Sequence, residues 1–324
     1  MATKKAGSIS CARYAAFSKV NILPALYFTR DSVREEFSDE VKRRGIRVKE
    51  ISEDIFYAES GERLYWVSDF WPDATTLDFV SISDAAKKLR ALSRRWIYAG
   101  GVAFRRGQLI AEALKSRKAK TLDFPAAEDN PPGAAFTLAH EKSLFYSMAP
   151  LKRSFAGGKI VFSEDRKGPP SRAYLKLWEV CTLTGLKLSA ADSVLDLGAT
   201  PGGWSYVAAS LGAKVTMLDR ARPDESLFRK FPGIAFVKGD GLQPAAELLA
   251  EATVILSDMA CEPRKLLESV EAWVKLKKVQ TMVCTLKFHG LSDKAVISRF
   301  ADVPGSEIYH LWHNGHELTW VWRR

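Results

Sequence analysis

The nine residues Asp196-Leu-Gly-Ala-Thr-Pro-Gly-Gly-Trp204 restrict the possible fold of this chain more than any other stretch of its sequence. The largely apolar run Ser193-Val-Leu195 leads into them, and the helix-forming, amphipathic stretch Ser205–Leu211 follows. A strand, a glycine turn and a helix in this order make the first unit of a doubly wound α/β sheet, in which ligands bind beyond the carboxyl ends of the strands. The sequence therefore predicts an α/β domain with a ligand site at this turn.

The composition of the turn indicates which ligand it holds. Its glycines allow a positive φ or a close approach of the backbone to a ligand, and its proline stiffens it. The turn lacks the spacing of the dinucleotide fingerprint G-x-G-x-x-G, and no Gly-Lys-Ser/Thr follows as in a Walker loop. A nucleoside that bears an amino acid fits such a turn, so S-adenosylmethionine (SAM) is the candidate cofactor. We predict cofactor contacts from Gly198, Ala199, Thr200, Pro201, Gly202, Gly203 and Trp204. A place in the helix core is the alternative for the tryptophan.

Four further apolar runs each lead to a polar residue. They are Ala213–Leu218 before Asp219, Ile234–Val237 before Lys238-Gly-Asp240, Thr253–Leu256 before Ser257-Asp258, and Gln280–Leu286 before Lys287. Because strands that alternate with helices build a parallel sheet, these polar residues should meet at one edge of it. An acid about 20 residues beyond the first turn is placed to accept hydrogen bonds from ribose hydroxyls. We therefore predict further cofactor contacts from Asp219, Asp240 and Asp258.

Five motifs give this part of the chain a resemblance to a known family. In order they are Pro170-Ser-Arg172-Ala-Tyr-Leu-Lys176, the turn Asp196–Trp204, Ser257-Asp-Met259, Thr285-Leu-Lys287 and His316-Glu-Leu-Thr319. The set resembles the FtsJ-like RNA 2′-O-ribose methyltransferases. This resemblance implies a Rossmann-like, SAM-dependent methyltransferase sheet and a catalytic tetrad of Lys176, Asp258, Lys287 and Glu317. The amino-terminal extension and the tail are most similar to the bacterial large-subunit rRNA cytidine methyltransferase M group, which implies large-subunit rRNA as the substrate.

The chemistry of such enzymes explains the residue types. Methyl transfer from a sulfonium to a ribose 2′-hydroxyl is an in-line displacement, and the hydroxyl reacts only when its proton is removed or strongly polarised. A lysine can be that base if its pKa is lowered, as burial and a second nearby cation both do. We assign the base to Lys287 and the cation to Lys176, with Asp258 and Glu317 orienting the two ammonium groups. Taken alone, each of these four residues also fits a purely structural role. If the alignment of the last motif is shifted by one residue, His316 takes the place of Glu317.

Positive charge is concentrated in one segment of the amino-terminal half. The chain of 324 residues has a formal net charge of +10, and Ser83–Lys120 holds eleven Lys or Arg against two acidic residues. Within this segment, Ser83–Trp96 is predicted to form a helix that Ser83 caps, with a basic face opposite an apolar one. A basic face favours contact with a phosphate backbone, although a solubilising surface is the alternative. We predict RNA contacts from Lys87, Arg90, Arg94, Arg95 and Arg172.

The amino-terminal half has the pattern of a small α+β module. Strands are predicted at Ala25–Phe28, Arg47–Ile51, Ile55–Glu59 and Arg63–Trp71, and an amphipathic helix at Asp31–Arg44. The module weakly resembles the THUMP-type RNA-binding modules. We predict an RNA-binding α+β domain over residues 1–125, a linker over 126–158 and the methyltransferase domain over 159–324. Ala135–Ser147 and Lys159–Phe162 are expected to form a hairpin over the rim of the methyltransferase sheet.

Several classes of protein do not fit the composition. With 47% hydrophobic and 27% charged residues, the chain is ordinary globular material and not disordered. No apolar run approaches about 18 residues, and no apolar signal core follows the amino terminus, so neither a membrane span nor secretion is expected. Cys11, Cys181, Cys261 and Cys284 lack CxxC spacing and fit reduced thiols of a cytoplasmic protein. The spacing of the histidines does not indicate a metal site.

Together these observations predict a cytoplasmic, SAM-dependent RNA 2′-O-ribose methyltransferase that acts on 23S rRNA. A cap- or messenger-type ribose methyltransferase is an alternative, which would require a capped substrate. A small-molecule methyltransferase would share the glycine turn but would need neither the tetrad nor the basic helix. A non-catalytic RNA-binding assembly factor would keep the basic face, and the intact tetrad argues against it.

Overall fold

The computed structural model describes residues 23–116, 121–125, 133–150 and 155–324, and these residues form three sheets. The first sheet is antiparallel, in the order β2-β3-β1-β4. Its strands are β1 (Ala25–Phe28), β2 (Val48–Ser52), β3 (Ile55–Ala58) and β4 (Asp69–Trp71). A 3-10 turn (Asp31–Val33) and helix α1 (Arg34–Arg43) follow β1. Gly45, with a φ of +66°, lets the chain leave the helix in the left-handed conformation that glycine adopts at little cost.

The strand predicted at Arg63–Trp71 is shorter than the alternation of its residues indicates. Only its last three residues, β4, pair with β1. The amides of Tyr65 and Trp66 instead donate to the carboxylate of Glu40, at 3.0 and 3.2 Å. Because Glu40 is buried, its carboxylate needs such partners, and this holds the backbone before β4 out of the sheet.

The second sheet has the order β5-β8-β7-β6. Its strands are β5 (Thr75–Asp78), β6 (Trp96–Gly101), β7 (Ala134–His140) and β8 (Ser143–Ser147), with helices α2 (Ile82–Leu92) and α3 (Phe104–Leu114). The hairpin expected over the rim of the methyltransferase sheet is wrong, because β7 and β8 pair with each other and with β6 and β5. Phe162 lies instead in a bridge with Leu122.

Helix α2 begins and ends earlier than predicted. Ser81, and not Ser83, caps it, since the Ser81 hydroxyl accepts a hydrogen bond from the Asp84 amide at 3.1 Å. At the other end, the Trp96 indole donates to the carbonyls of Leu89 and Ser93 at 3.0 and 2.9 Å. The Leu89 carbonyl also accepts from the Ser93 amide, and the Ser93 carbonyl, which lies past the helix end, gains the indole as its donor. The helix stops at Leu92, and the tryptophan begins β6.

The third sheet has the order β11-β10-β9-β12-β13-β15-β14. Its strands are β9 (Ser193–Leu197), β10 (Lys214–Asp219), β11 (Ala235–Lys238), β12 (Val254–Ser257), β13 (Thr281–Lys287), β14 (Ser306–Tyr309) and β15 (Glu317–Arg323). Its helices are α4 (Tyr174–Thr184), α5 (Gly203–Ser210), α6 (Glu225–Lys230), α7 (Ala246–Glu251), α8 (Pro263–Trp273) and α9 (Lys294–Ala301).

The direction of the strands decides where a ligand can bind. Strands β9 to β13 pair in parallel, and β15 is antiparallel to β13 and to β14. The strand order reverses between β9 and β12, and in doubly wound sheets ligands bind in the crevice beyond the carboxyl ends at such a point. The predicted Rossmann-like α/β fold is confirmed.

The first and third sheets share one hydrophobic core. Phe37 of α1 and Trp66, which precedes β4, belong to the same buried cluster as Phe300 of α9 and Trp320 of β15. The Arg63 guanidinium adds a hydrogen bond across this contact, to a backbone carbonyl of β14 at 2.9 Å. The domain division predicted at residues 1–125, 126–158 and 159–324 stays a prediction, as does the resemblance of the first module to THUMP modules.

Two expectations drawn from the composition, on membrane spans and on the cysteines, can be compared with the structure. In the part of the chain that the structure describes, none of the helices has the length and apolar character that crossing a bilayer takes. Cys181 and Cys284 are buried free thiols, and Cys261 is partly buried. Burial raises the pKa of the Cys181 thiol to about 12, so this thiol is protonated at neutral pH. Cys11 lies outside the described residues.

Candidate active site

Lys176 is a charged residue on α4, a helix whose first eight residues are all buried. These are Tyr174–Cys181, and only 8% of Lys176 is exposed. Its Nζ lies 2.8 Å from Asp258 Oδ1 and 2.9 Å from Glu317 Oε1. A buried ammonium is tolerated when carboxylates pair with it in this way, so the helix can present a cation to the end of the sheet.

Asp258 joins the two lysines. It follows β12, and Lys287 ends the neighbouring parallel strand β13, so both lie at the carboxyl edge of the sheet. The Lys287 Nζ is 3.1 Å from Asp258 Oδ1 and donates to the Asp258 backbone carbonyl at 2.6 Å. One carboxylate oxygen therefore contacts both ammonium groups. The structure brings the four residues predicted as catalytic into one connected cluster.

The register places Glu317, and not His316, in this cluster. Glu317 begins β15 and lies directly opposite Lys287 in the antiparallel ladder. Successive side chains of an extended segment point to opposite faces, and the His316 ring lies on the other side, where its Nε2 is 2.8 Å from Glu36. The alternative register, with the histidine in the cluster, is wrong.

The charge of Lys176 is set by its ion pairs. Burial acts to lower the pKa of the Lys176 ammonium, but the ion pairs with Asp258 and Glu317 outweigh it and raise that pKa above the usual lysine value. Lys176 therefore keeps its positive charge at neutral pH. The Lys287 side chain is 27% exposed against 10% for Lys176, so its amine is the one that a substrate reaches more easily.

The glycine turn has the backbone geometry that its sequence predicts. Gly198 and Gly202 have φ values of +65° and +107°, in the left-handed region that favours glycine. A Cβ on Gly198 would lie 2.0 Å from the Met259 side chain, and one on Gly203 would lie 2.5 Å from the Ser171 hydroxyl. The glycines thus let the turn pack closely against the residues after β12 and before α4.

Asp219 at the end of β10 and Asp240 after β11 offer hydrogen-bond acceptors for a nucleoside. Asp219 accepts hydrogen bonds from the amides of Thr200 and Ala221 at 3.0 and 2.9 Å. Since an ionised carboxylate offers about four acceptor positions, Asp219 retains capacity for ribose hydroxyls beside the turn. Asp240 lies beyond β11, where it accepts from an amide two residues on and pairs with Arg220 at 2.6 Å. This set of acceptors around a glycine turn fits the nucleoside part of SAM.

The side chains at the two ends of the turn, Asp196 and Trp204, are buried. Trp204 is 2% exposed, and its indole donates to the Ala173 carbonyl at 2.9 Å, so its side chain lies in the core and not over a ligand. Asp196, for which the sequence indicated no separate role, accepts a hydrogen bond from the Ser205 hydroxyl at 2.6 Å. Complete burial raises the pKa of the Asp196 carboxyl to about 7.

The residues predicted to contact RNA lie in two places. Lys87 and Arg90 are exposed on α2, while Arg94 and Arg95 are exposed in the turn that follows it. Arg172 lies just before α4, where its largely exposed side chain pairs with a glutamate at 2.8 Å. The expectation that all the basic residues of Ser83–Trp96 share one helix face is therefore wrong, because the helix ends before the last two.

A cleft of about 560 Å³ opens beside Lys176. Phe162, Arg172, Trp312 and His313 are among its lining residues. The combination of aromatic rings and positive charge suits a nucleotide. Sequence reasoning assigned no role to the aromatic residues of this cleft. The sequence feature that could have indicated this cleft is the Trp312-His313 pair, which closely precedes the His316-Glu317 motif.

The strand order and the cluster at the carboxyl edge define a Rossmann-like methyltransferase domain. Residues 169–311 match the FtsJ-like methyltransferase family, and this stretch of the chain is an FtsJ-like methyltransferase domain. Lys176, Asp258 and Lys287 lie within the matched residues, and Glu317 lies beyond them. Among the residues that the structure describes, no group of three or more His, Cys, Asp or Glu is arranged to hold a metal ion.

Curated relatives of the chain are named for ribosomal RNA. The ribosomal RNA large subunit methyltransferase E of Archaeoglobus fulgidus is 39% identical over 98 residues, which are 29% of this chain and 48% of that protein. The ribosomal RNA large subunit methyltransferase M of Pseudoalteromonas atlantica is 26% identical over 170 residues, 46% of this chain and 47% of that protein. The corresponding M protein of Xylella fastidiosa is 32% identical over 124 residues, 36% of this chain and 34% of that protein. The chain spans half or less of the length of these relatives.

Proposed function

We propose that this protein is a SAM-dependent RNA 2′-O-ribose methyltransferase that acts on large-subunit rRNA in the cytoplasm. The observation that carries the proposal is the connected cluster of Lys176, Asp258, Lys287 and Glu317 at the carboxyl edge of the third sheet. Relatives named as large-subunit rRNA methyltransferases support this class of substrate. A target in 23S rRNA, as the resemblance to the M group implies, is the more specific form of the proposal.

The cofactor is held by the glycine turn and by the acids at the strand ends. Backbone groups of Gly198–Gly203 line its site, Asp219 accepts from its ribose hydroxyls, and Asp240 and Asp258 follow β11 and β12 on either side of the turn. When bound, SAM supplies an electrophilic methyl group. The acids contribute affinity and orientation, and alignment of this kind is a large part of the rate enhancement in an in-line transfer.

The four clustered residues act on the ribose. Lys287, as the neutral amine, takes the proton of the 2′-hydroxyl while the methyl group passes from sulfur to the 2′-oxygen and the demethylated cofactor leaves. The direction of the amine is fixed by the carbonyl and the carboxylate of Asp258. Lys176 stays protonated and stabilises the negative charge that develops on the 2′-oxygen. Glu317 orients Lys176. General-base catalysis of this type contributes about 10²–10⁴-fold.

The acceptor nucleotide enters through the cleft beside Lys176. Phe162 and Trp312 offer aromatic surface on which a base can stack, and Arg172 offers a positive charge to a phosphate. The basic residues on and after α2 hold the RNA backbone farther along the strand. Charge and aromatic surface together support a single-stranded stretch of RNA as the substrate.

Mass-spectrometric mapping of ribose methylation in large-subunit rRNA tests the proposal. A strain that lacks the gene should lose one 2′-O-methyl ribose, and the wild-type gene should restore it while Lys287→Ala does not. Unchanged methylation in the deletion strain would contradict an rRNA target. Methylation that requires a capped transcript in vitro would favour the cap-type alternative.

The cofactor is tested separately by calorimetry on the full chain. SAM and its demethylated product should both bind, and Asp219→Ala should weaken both. A folded protein that binds NADH and neither of these compounds would overturn the cofactor assignment.

A further inference from the structure

A buried carboxylate of the amino-terminal module contacts the two chain segments that carry Lys287 and Glu317. Glu36 lies on α1, and its side chain is 3% exposed. It accepts hydrogen bonds from the Ser292 amide at 2.8 Å, from the Ser292 hydroxyl at 2.6 Å and from the His316 Nε2 at 2.8 Å. Ser292 lies five positions after Lys287, and His316 directly precedes Glu317. Glu36 therefore ties together the ends of β13 and β15.

His316 is fixed from two further directions. The indole of Trp66, also from the amino-terminal module, stacks on its ring with centroids 5.3 Å apart and an interplanar angle of 16°. Its Nδ1 lies 3.4 Å from the carbonyl of Phe288, the residue after Lys287. Because His316 and Glu317 are adjacent and point to opposite faces, a fixed histidine ring limits how far the glutamate can move.

The connection between β14 and β15 is also held from the methyltransferase side. Glu179, on the same helix as Lys176, accepts from the amides of Trp312 and His313 at 2.7 and 3.0 Å. Arg30, just after β1, donates to the Trp312 carbonyl at 2.5 Å. The segment that delivers Glu317 is thus held by side chains of both the amino-terminal module and α4.

We propose that Glu36 is a positioning residue for the methyl transfer, so that the amino-terminal module completes the active site as well as contacting RNA. This inference rests on the proposed function. Glu36 touches neither the cofactor crevice nor the cluster, and it acts through His316 and Ser292 on Glu317 and Lys287. A displacement of about 1 Å at a reacting group can cost about 10²-fold in rate, which is the effect that loss of this anchor would have.

The experiment compares two truncations of buried carboxylates. Glu36→Ala removes the anchor. Asp69→Ala is the matched control, since Asp69 is fully buried and accepts from the Phe70 amide, the Trp71 indole and the Gly157 amide at 2.8–3.1 Å. Both changes leave buried donors unsatisfied and should lower the midpoint of thermal unfolding. Only Glu36→Ala should lower kcat per folded molecule, by about 10²-fold, with KM for SAM within about twofold of wild type.

A conservative variant and a structural readout separate positioning from folding. Glu36→Gln keeps an oxygen for the two N–H donors and an amide that can donate to the Ser292 hydroxyl, so it should recover most of the kcat that Glu36→Ala loses. Hydrogen exchange of the 313–317 backbone amides should be faster in Glu36→Ala and unchanged in Asp69→Ala. Equal loss of kcat per folded molecule in both truncations, or wild-type kcat in Glu36→Ala, overturns the inference.

The exchange measurement also separates this inference from the proposed function. If the wild-type protein methylates no RNA, the proposed function fails, and the exchange of residues 313–317 still decides whether Glu36 orders the segment before β15. Faster exchange in Glu36→Ala alone supports the positioning role. Exchange equal to that of the wild type overturns it.

Discussion

Lys287 and Glu317 are direct partners in the antiparallel ladder between β13 and β15, with Lys287 at the end of one strand and Glu317 at the start of the other. Asp258 follows β12, which pairs with β13 on its other side. Three adjacent strands therefore deliver three of the four clustered residues, and α4 delivers Lys176. Because ladder hydrogen bonds fix the strands, the spacing of these side chains does not depend on a long loop, as a site that works by positioning requires.

The first prediction concerns Lys287. Lys287→Ala should lower the single-turnover rate of methyl transfer by at least about 10²-fold, because it removes the general base. SAM affinity and thermal stability should stay close to those of the wild type, since the side chain is partly exposed and ends its strand. The measurement uses deproteinised rRNA from a strain that lacks the gene. Lys275→Ala, an exposed lysine of the same domain, is the control and should keep the wild-type rate.

One result would contradict the assignment of Lys287 as the general base. Retention of more than about a tenth of the wild-type rate in Lys287→Ala is far above what loss of a general base allows.

The second prediction concerns the coupling of Lys176 and Asp258. Since the two side chains form one ion pair at 2.8 Å, Lys176→Ala and Asp258→Ala should each lower kcat strongly. The double variant should be little worse than either single one, because groups that act as a unit are non-additive. Glu317→Ala should be milder, since the glutamate orients the Lys176 ammonium from one side while Asp258 still pairs with it. Effects on kcat that multiply in the double variant would mean that the two residues act independently.

The strand ends could be predicted from the sequence because the relevant pattern is local. An apolar run followed by a polar residue marks where a buried strand reaches the edge of a sheet, and parallel strands put these residues at the same edge. Asp219, Asp258 and Lys287 follow from this reasoning. The motif order then adds Lys176 and Glu317, which lie on a helix and on an antiparallel strand that no local pattern connects to the others.

The features that the sequence did not reveal depend on distant interactions. The short apolar runs of β7 and β8 are compatible with strands but do not say which strands they pair with. The indole of Trp204 points to a carbonyl 31 positions earlier in the chain. Glu36 and Ser292 are separated by 256 positions, and a glutamate on an amphipathic helix has no local signal that distinguishes an anchor from a solvated side chain.

The third prediction concerns stability and the buried Asp196. Burial raises the pKa of its carboxyl from 3.8 to about 7, so folding takes up a proton between about pH 4 and pH 7. The free energy of unfolding should therefore fall as the pH rises through this range and should level off above it. The loss attributable to this group is at most about 4 kcal/mol, at 1.36 kcal/mol for each pKa unit.

Asp196→Asn tests this because an amide resembles the protonated carboxyl and does not titrate. Urea unfolding at pH 5 and pH 8 should show a smaller difference in unfolding free energy for the variant than for the wild type. Glu247→Gln, at an exposed position, is the control and should leave the difference unchanged. If Asp196→Asn shows the same difference as the wild type, the buried carboxyl does not govern this pH dependence.

The last prediction concerns the exposed basic residues after α2. Arg94→Glu combined with Arg95→Glu should weaken RNA binding and leave SAM affinity unchanged, because the turn belongs to the second sheet and not to the cofactor crevice. A bound phosphate releases counterions, so the slope of log affinity against log salt should become shallower by roughly one for each phosphate that the variant no longer binds. The matched control reverses Lys277 and Lys278, an adjacent exposed pair before β13, at the edge of the sheet opposite to the cluster. A salt slope that changes equally in both double variants would mean that the weaker binding reflects net charge and not a specific interaction with RNA, and an unchanged slope would make the turn an ordinary solvated surface.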